Sequence, residues 1–179
     1  MTDKTEQKIL GAALKIFSEK GFKGATTKVI AQESEFSELT LFRKFETKEN
    51  LFNSVLTENR ERILEELDSI FIDKEFKNNK DFLETLIKNL TDLMEKNFEF
   101  VNILVYNRHN APGDILMEII TRVSQYIEEI SPNVQMDPKI FVLNVFSFLY
   151  FVIFDKNQGQ FFNYENAVEE FIDHYARCP

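Results

Sequence analysis

A single cysteine, Cys178, beside the end of the 179-residue chain rules out an intrachain disulfide framework and any thiolate-based metal centre. Its isolation fits a reducing, cytoplasmic setting. Tryptophan is missing, and the two histidines, His109 and His174, lie far apart in sequence, so neither begins a metal cluster and no cofactor is expected. Only 5 Gly and 4 Pro interrupt the chain, which leaves long stretches rich in Leu, Ile, Phe, Glu, Lys and Asn at helical spacing. No strand-like alternation persists. Residues 1–7 have no apolar run of the kind that opens a secretory signal. The most apolar segment, residues 140–154, is too short for a membrane span and contains Asn144 and Ser147, so it reads as a buried helix with no membrane partner. No glycine-rich phosphate loop, Gly-x-Ser-x-Gly elbow or Cys/His dyad occurs, and the carboxylates follow helix faces, so the chain is not expected to be an enzyme.

Negative charge is plentiful, at a net −9. Its distribution is uneven. Residues 1–50 carry nine Lys and Arg against eight Asp and Glu, whereas residues 51–179 carry 12 against 22. A near-neutral N-terminal segment can bind phosphates if its cations share one face, although long-range attraction is weak and binding is salt-sensitive.

Ile9, Ala12, Ala13, Ile16 and Phe17 form one apolar stripe on a first helix covering about residues 3–20. Gly21 suits a left-handed end, with Phe22 placed to touch Phe17. Thr26 or Thr27 can cap a second short helix over 26–33, Ser37 a third over 38–45, and Thr47 a fourth. Val29, Ile30, Phe36, Leu41, Phe45 and Leu51 complete a small core with the first stripe. Only Ser34-Glu35-Phe36-Ser37 separates the second and third helices, the spacing at which one helix braces another in a major groove. From Lys48 a helical pattern runs to about Ile72, followed by a charged loop over 73–79 and a helix marked by Phe82, Leu86, Leu90, Leu93 and Met94. Further helices cover about 98–108 and 114–129, separated by Ala111-Pro112-Gly113. After Ser131-Pro132-Asn133, Asp137 and Pro138 make a cap-and-N1 start for a helix over 138–154, and a last helix covers 163–175. The helix over 138–154 is apolar nearly all round, which asks for cover on more than one side, and a second subunit would supply it.

The segment from Ile9 to Phe52 resembles the tetracycline-repressor (TetR/AcrR) family of one-component regulators. The likeness rests on Phe17, Lys20-Gly21-Phe22, Thr26-Thr27, Ile30-Ala31, Ser37, Thr40-Leu41-Phe42-Arg43-Lys44-Phe45 and Lys48-Glu49-Asn50-Leu51. It covers about a quarter of the chain. It implies an all-α protein with a helix-turn-helix DNA-binding head, residues 1–47, and a helical ligand-binding and dimerisation body, residues 48–179. By the resemblance, Thr27, Lys28, Thr40, Arg43, Lys44 and Lys48 meet phosphates or set register, Ser37, Glu38, Leu39 and Thr40 face bases, and Phe42 lies on the same DNA-binding surface without a hydroxyl to anchor a phosphate. The chain departs from the family at three places. Glu35 stands where Gly is usual in the turn, at a cost on the order of 1 kcal/mol if that residue is left-handed. Phe42 replaces a common phosphate-binding Tyr, and Glu38-Leu39 replaces a frequent Lys-Gly, which alters base preference.

The resemblance further implies a body cavity for an apolar small-molecule effector, with Phe98, Val101, Leu104, Tyr106, Arg108, Met117, Phe148 and Phe151 as candidate lining residues. Taken singly, Phe98, Phe100, Phe146, Phe148, Phe151 and Phe154 each read first as core filling, and Tyr106, Asn107, Arg108 and His109 read at least as well as a solvated helix end. The expected protein is a homodimer, paired through its last two helices, that reads a palindromic operator and is most simply a repressor released by its effector. The alternative is a helical ligand-binding or adaptor protein whose head no longer binds DNA.

Overall fold

The computed structural model describes residues 3–71, 76–106, 114–130, 136–159 and 161–177, and among these residues every regular element is an α-helix. In chain order they are α1 (Lys4–Gly24), α2 (Thr27–Ser34), α3 (Glu38–Phe45), α4 (Lys48–Phe71), α5 (Asn79–Lys96), α6 (Phe98–Tyr106), α7 (Ile115–Ile130), α8 (Pro138–Gln158) and α9 (Tyr164–Arg177). The two Pro-containing breaks at 111–113 and 131–133, together with Asn107, Arg108, His109 and Cys178, lie outside the described residues.

The chain forms two compact units: Met1–Leu64 with Asn97–Leu116, and Glu65–Lys96 with Met117–Pro179. In the first, the stripe of α1 is buried against Ile30, Ala31, Leu41, Phe45, Leu51 and Phe52. Phe17 is its centre, with the Phe52 ring edge-on at 4.9 Å and the Phe22 ring stacked at 6.0 Å. The first helix does not end on a left-handed glycine as its sequence suggests. Gly21 instead has φ 66 and ψ 170, a region open essentially to glycine, and the chain bends there and coils for another turn to Gly24. That bend still turns Phe22 back onto Phe17.

α6 packs on α1 in the same unit through Phe100, Val101, Ile103 and Leu104, and Asn102 donates to Ser18 at 3.5 Å. Buried Asn59 donates to the Val55 carbonyl at 2.8 Å and accepts from Arg62, which also donates to Asn97 at the head of α6. Glu99 on α6 has its pKa raised, first by burial and next by Glu19 on α1, with Lys15 opposing. The native state therefore holds this proton more tightly than the unfolded chain. The resulting stability is present below the ordinary Glu pKa and is lost as pH rises through the raised value. Glu99→Gln should accordingly raise the melting temperature at neutral pH, and the gain should vanish in melts run below pH 4.5, the ordinary Glu value.

In the second unit, Arg122 grips Asp68 through two hydrogen bonds of 2.7 and 2.6 Å, Tyr126 donates to the same carboxylate at 2.9 Å, and the Phe71 ring stacks on Tyr126 at 4.5 Å. A planar guanidinium held bidentately fixes the angle as well as the distance between α4 and α7. α8 packs on α5 and α9, with Phe148 stacked on Phe171 at 4.1 Å and Lys156 paired to Glu95 at 2.7 Å. At 21 residues α8 is longer than the 15-residue segment read from the sequence, and by length and composition it could cross a membrane; its apolar window is 39% buried, so it is less enclosed than a core helix was expected to be. The face left open carries Ile140, Leu143 and Phe151, at 54%, 47% and 65% exposure.

Candidate nucleic-acid interface

The turn between α2 and α3 is built by caps. Thr26 accepts from Val29 N at 3.3 Å to open α2, and Ser37 accepts from Thr40 N at 3.1 Å to open α3. α2 closes with Phe36 N bonded to the Ala31 carbonyl at 3.0 Å and Glu35 N to that of Gln32 at 3.2 Å, the paired bonds of a Schellman ending. This places Glu35 at φ 63 and ψ 23, so the left-handed turn is kept without the glycine that would adopt it free of strain. The exit of α3 is tighter still. Glu46 has φ 64 and ψ −47, and Thr47 N reaches the Phe45 carbonyl at 2.7 Å, a positive-φ γ-turn. Thr47 then caps α4 through Asn50 N at 3.0 Å.

With Leu41 and Phe45 buried, α3 turns Leu39, Phe42 and Arg43 outward, at positions i, i+3 and i+4. Leu39 is 69% and Phe42 43% exposed. Two large apolar side chains beside a guanidinium form a surface suited to thymine methyls, sugars and phosphates. Ser37 and Lys28 are also exposed, while Thr27, Glu38, Thr40, Lys44 and Lys48 are half-buried.

Each of these half-buried side chains has an internal partner. Thr27 Oγ1 donates to Glu38 Oε2 at 2.9 Å, tying the start of α3 to the start of α2. One oxygen of Glu38 is thereby occupied, which turns its charge toward α2. Thr40 and Ser37 share a hydrogen bond at 3.0 Å. Lys44 donates to Asp3 at 2.6 Å. Lys48 donates to the carbonyls of Phe22 at 2.9 Å and Ala25 at 3.1 Å and lies 4.4 Å from the Phe22 ring centroid. With two of its three N–H donors so engaged, Lys48 fixes the start of α4 to the α1–α2 connection and keeps one donor for other use. Sequence reading missed Asp3. The one local hint was its position as the cap of α1, where it accepts from Glu6 N at 2.8 Å.

The candidate effector residues fall in both units. Phe98 is half-buried, Val101 and Leu104 are buried in α6, and Tyr106 is exposed at the end of that helix. In the second unit Met117 borders an open depression of about 370 Å³ with Glu118, Thr121, Arg122 and Gln125. Phe148 is taken up by Phe171, and Phe151 is exposed. Arg108 lies outside the described residues. The Asn89 amide nitrogen on α5, which sequence reading did not single out, is buried with no hydrogen-bond partner among the described residues.

Residues 9–55 match the profile of bacterial regulatory proteins, tetR family. The chain is 40% identical over 65 residues to the HTH-type transcriptional regulator YvkB of Bacillus subtilis, a match covering 35% of this chain and 34% of that protein. It thus spans about a third of that relative's length. In fold the likeness extends over the whole chain. AibR, solved in complex with isovaleryl coenzyme A and operator DNA, aligns at a TM-score of 0.74 and 14% identity, covering 96% of this chain and 97% of that one. The regulator FadR from Bacillus subtilis, in complex with stearoyl-CoA, aligns at 0.67 and 14%, covering 97% of this chain and 98% of that one.

Proposed function

We propose, from the premise that residues 9–55 are a tetR-family head on a chain with a regulator's fold throughout, that this protein is a ligand-responsive, DNA-binding transcriptional regulator. It is not an enzyme on this reading, and it works in the cytoplasm as a repressor released from a palindromic operator by an apolar small molecule. The observation that carries the reading is the outward face of α3, where Leu39, Phe42 and Arg43 stand exposed on a short helix braced at its ends and flanks. A merely structural helix would have little reason to expose two large apolar residues next to a cation.

The open face of α8 supports pairing with a second copy. Two heads must then meet successive major grooves about 34 Å apart, so a change in body packing that alters their separation reduces DNA affinity. The effector acts by preferring one spacing, with a coupling of ~1–3 kcal/mol that is reciprocal between ligand and DNA. An acyl thioester is the effector class favoured by the ligands of AibR and FadR and by the Phe-rich body, with Asn89 as an available polar contact.

Selection of duplexes from a random library by the immobilised protein tests the reading. A palindromic sequence should be enriched, and Arg43→Ala should weaken its binding about tenfold or more. If Arg43 meets phosphate, the salt dependence should also flatten by about one unit of slope. Failure to enrich any sequence over random duplex, with no effect of Arg43→Ala, would leave the adaptor reading in its place.

A further inference from the structure

Lys44, in the last turn of α3, donates to Asp3 Oδ2 at 2.6 Å and lies 3.9 Å from Glu6. Asp3 has two tasks. Its Oδ1 accepts from Glu6 N at 2.8 Å and closes the N-terminus of α1, while Oδ2 is given to a lysine 41 residues away. The Lys44 hydrogen bond is the largest influence holding the Asp3 carboxyl below its ordinary range, so the carboxylate stays charged. To a lysine ammonium, a carboxylate oxygen and a phosphate oxygen are equivalent acceptors. The ammonium has three donors, but the Lys44 side chain is only 23% exposed, so an incoming phosphate competes with Asp3 for access to it.

We propose that Asp3 is an internal competitor for the DNA backbone: it occupies Lys44 in the free head, and a duplex must displace it to gain that contact. This rests on the DNA-binding reading above. The Asp3 side chain is 60% exposed, so water and salt reach that end of the pair and weaken it, and it can be broken, unlike a fully buried one. Phosphate binding adds counterion release, which favours the exchange at low salt. Because phosphate contacts carry no sequence information, the competition lowers affinity for all duplexes. A correct operator, with its added base contacts, tolerates that loss better than random DNA.

Asp3→Asn is the discriminating change, since Asn caps a helix about as well as Asp while removing the charge. Binding is read by fluorescence anisotropy on a labelled random duplex over a salt series, in the native and Lys44→Met backgrounds, with thermal melts to verify folding. Asp3→Asn should tighten binding about two- to fivefold at low salt and steepen the slope of log affinity against log salt by ~0.9. Both changes should disappear in the Lys44→Met background. An equal gain in both backgrounds would mark a long-range charge effect and overturn the proposal alone, as would no gain in either while the native protein binds. If the native protein binds neither the random duplex nor any selected sequence, the DNA-binding reading itself fails and this proposal falls with it.

Discussion

A chain carrying both Leu143→Glu and Phe151→Glu should sediment as a monomer at concentrations where the native protein is a dimer, and its affinity for a palindromic operator should fall about a hundredfold or more. Leu143 and Phe151 are 47% and 65% exposed, two turns apart on α8, with Ile140 in line at 54%. Fully burying such a side chain contributes roughly 1.5–3 kcal/mol, of which about half to two-thirds remains to be gained here, and a carboxylate facing its own symmetry copy reverses the sign through desolvation and like-charge repulsion. On the proposed pairing, the apolar centre of the contact would be α8. α9 exposes Glu165, Glu169 and Glu170, which would repel across a two-fold axis and suit the rim. Because both substituted positions face solvent within one chain, helicity by circular dichroism should be unchanged. A double variant that remains dimeric would refute this interface.

Phe17→Ala should destabilise the first unit by about 3–5 kcal/mol, much of what a small domain possesses. Phe17 has no exposed surface and is contacted by the rings of Phe22 and Phe52. Those three join the end of α1, the connection to α2, and α4. Truncation removes the ring on which Phe22 stacks, and the Lys48 ammonium rests over the Phe22 ring. DNA binding should be lost together with the cooperative unfolding of the head, followed by chemical denaturation. A loss below about 1 kcal/mol would mean that the site collapses readily and that the cluster is not central.

Local signals carried much of this architecture. Ser37, Thr47 and Asp137 cap the helices that their positions predict, and the turn residue Glu35 is left-handed as the turn pattern requires. These features depend on neighbours a few residues away, which a sequence displays directly. At Gly21 the need for glycine was legible but the conformation was not, because ψ is set by how Phe22 must return to Phe17. The grouping of α6 with α1 was not legible either, since an amphipathic stripe tells that a helix is buried and not against what.

The cations show the limit most clearly. As sequence, Arg43, Lys44 and Lys48 are three basic residues on or beside α3. In the structure Arg43 faces outward, Lys44 is held by Asp3, and Lys48 is spent largely on backbone carbonyls. Periodicity and capping chemistry fixed the helices and the turn because these follow from short-range sterics and hydrogen bonding. Which charge meets which partner depended on side chains brought together across 41 residues or 26, and only the packing of α1 against the rest of the head could decide it.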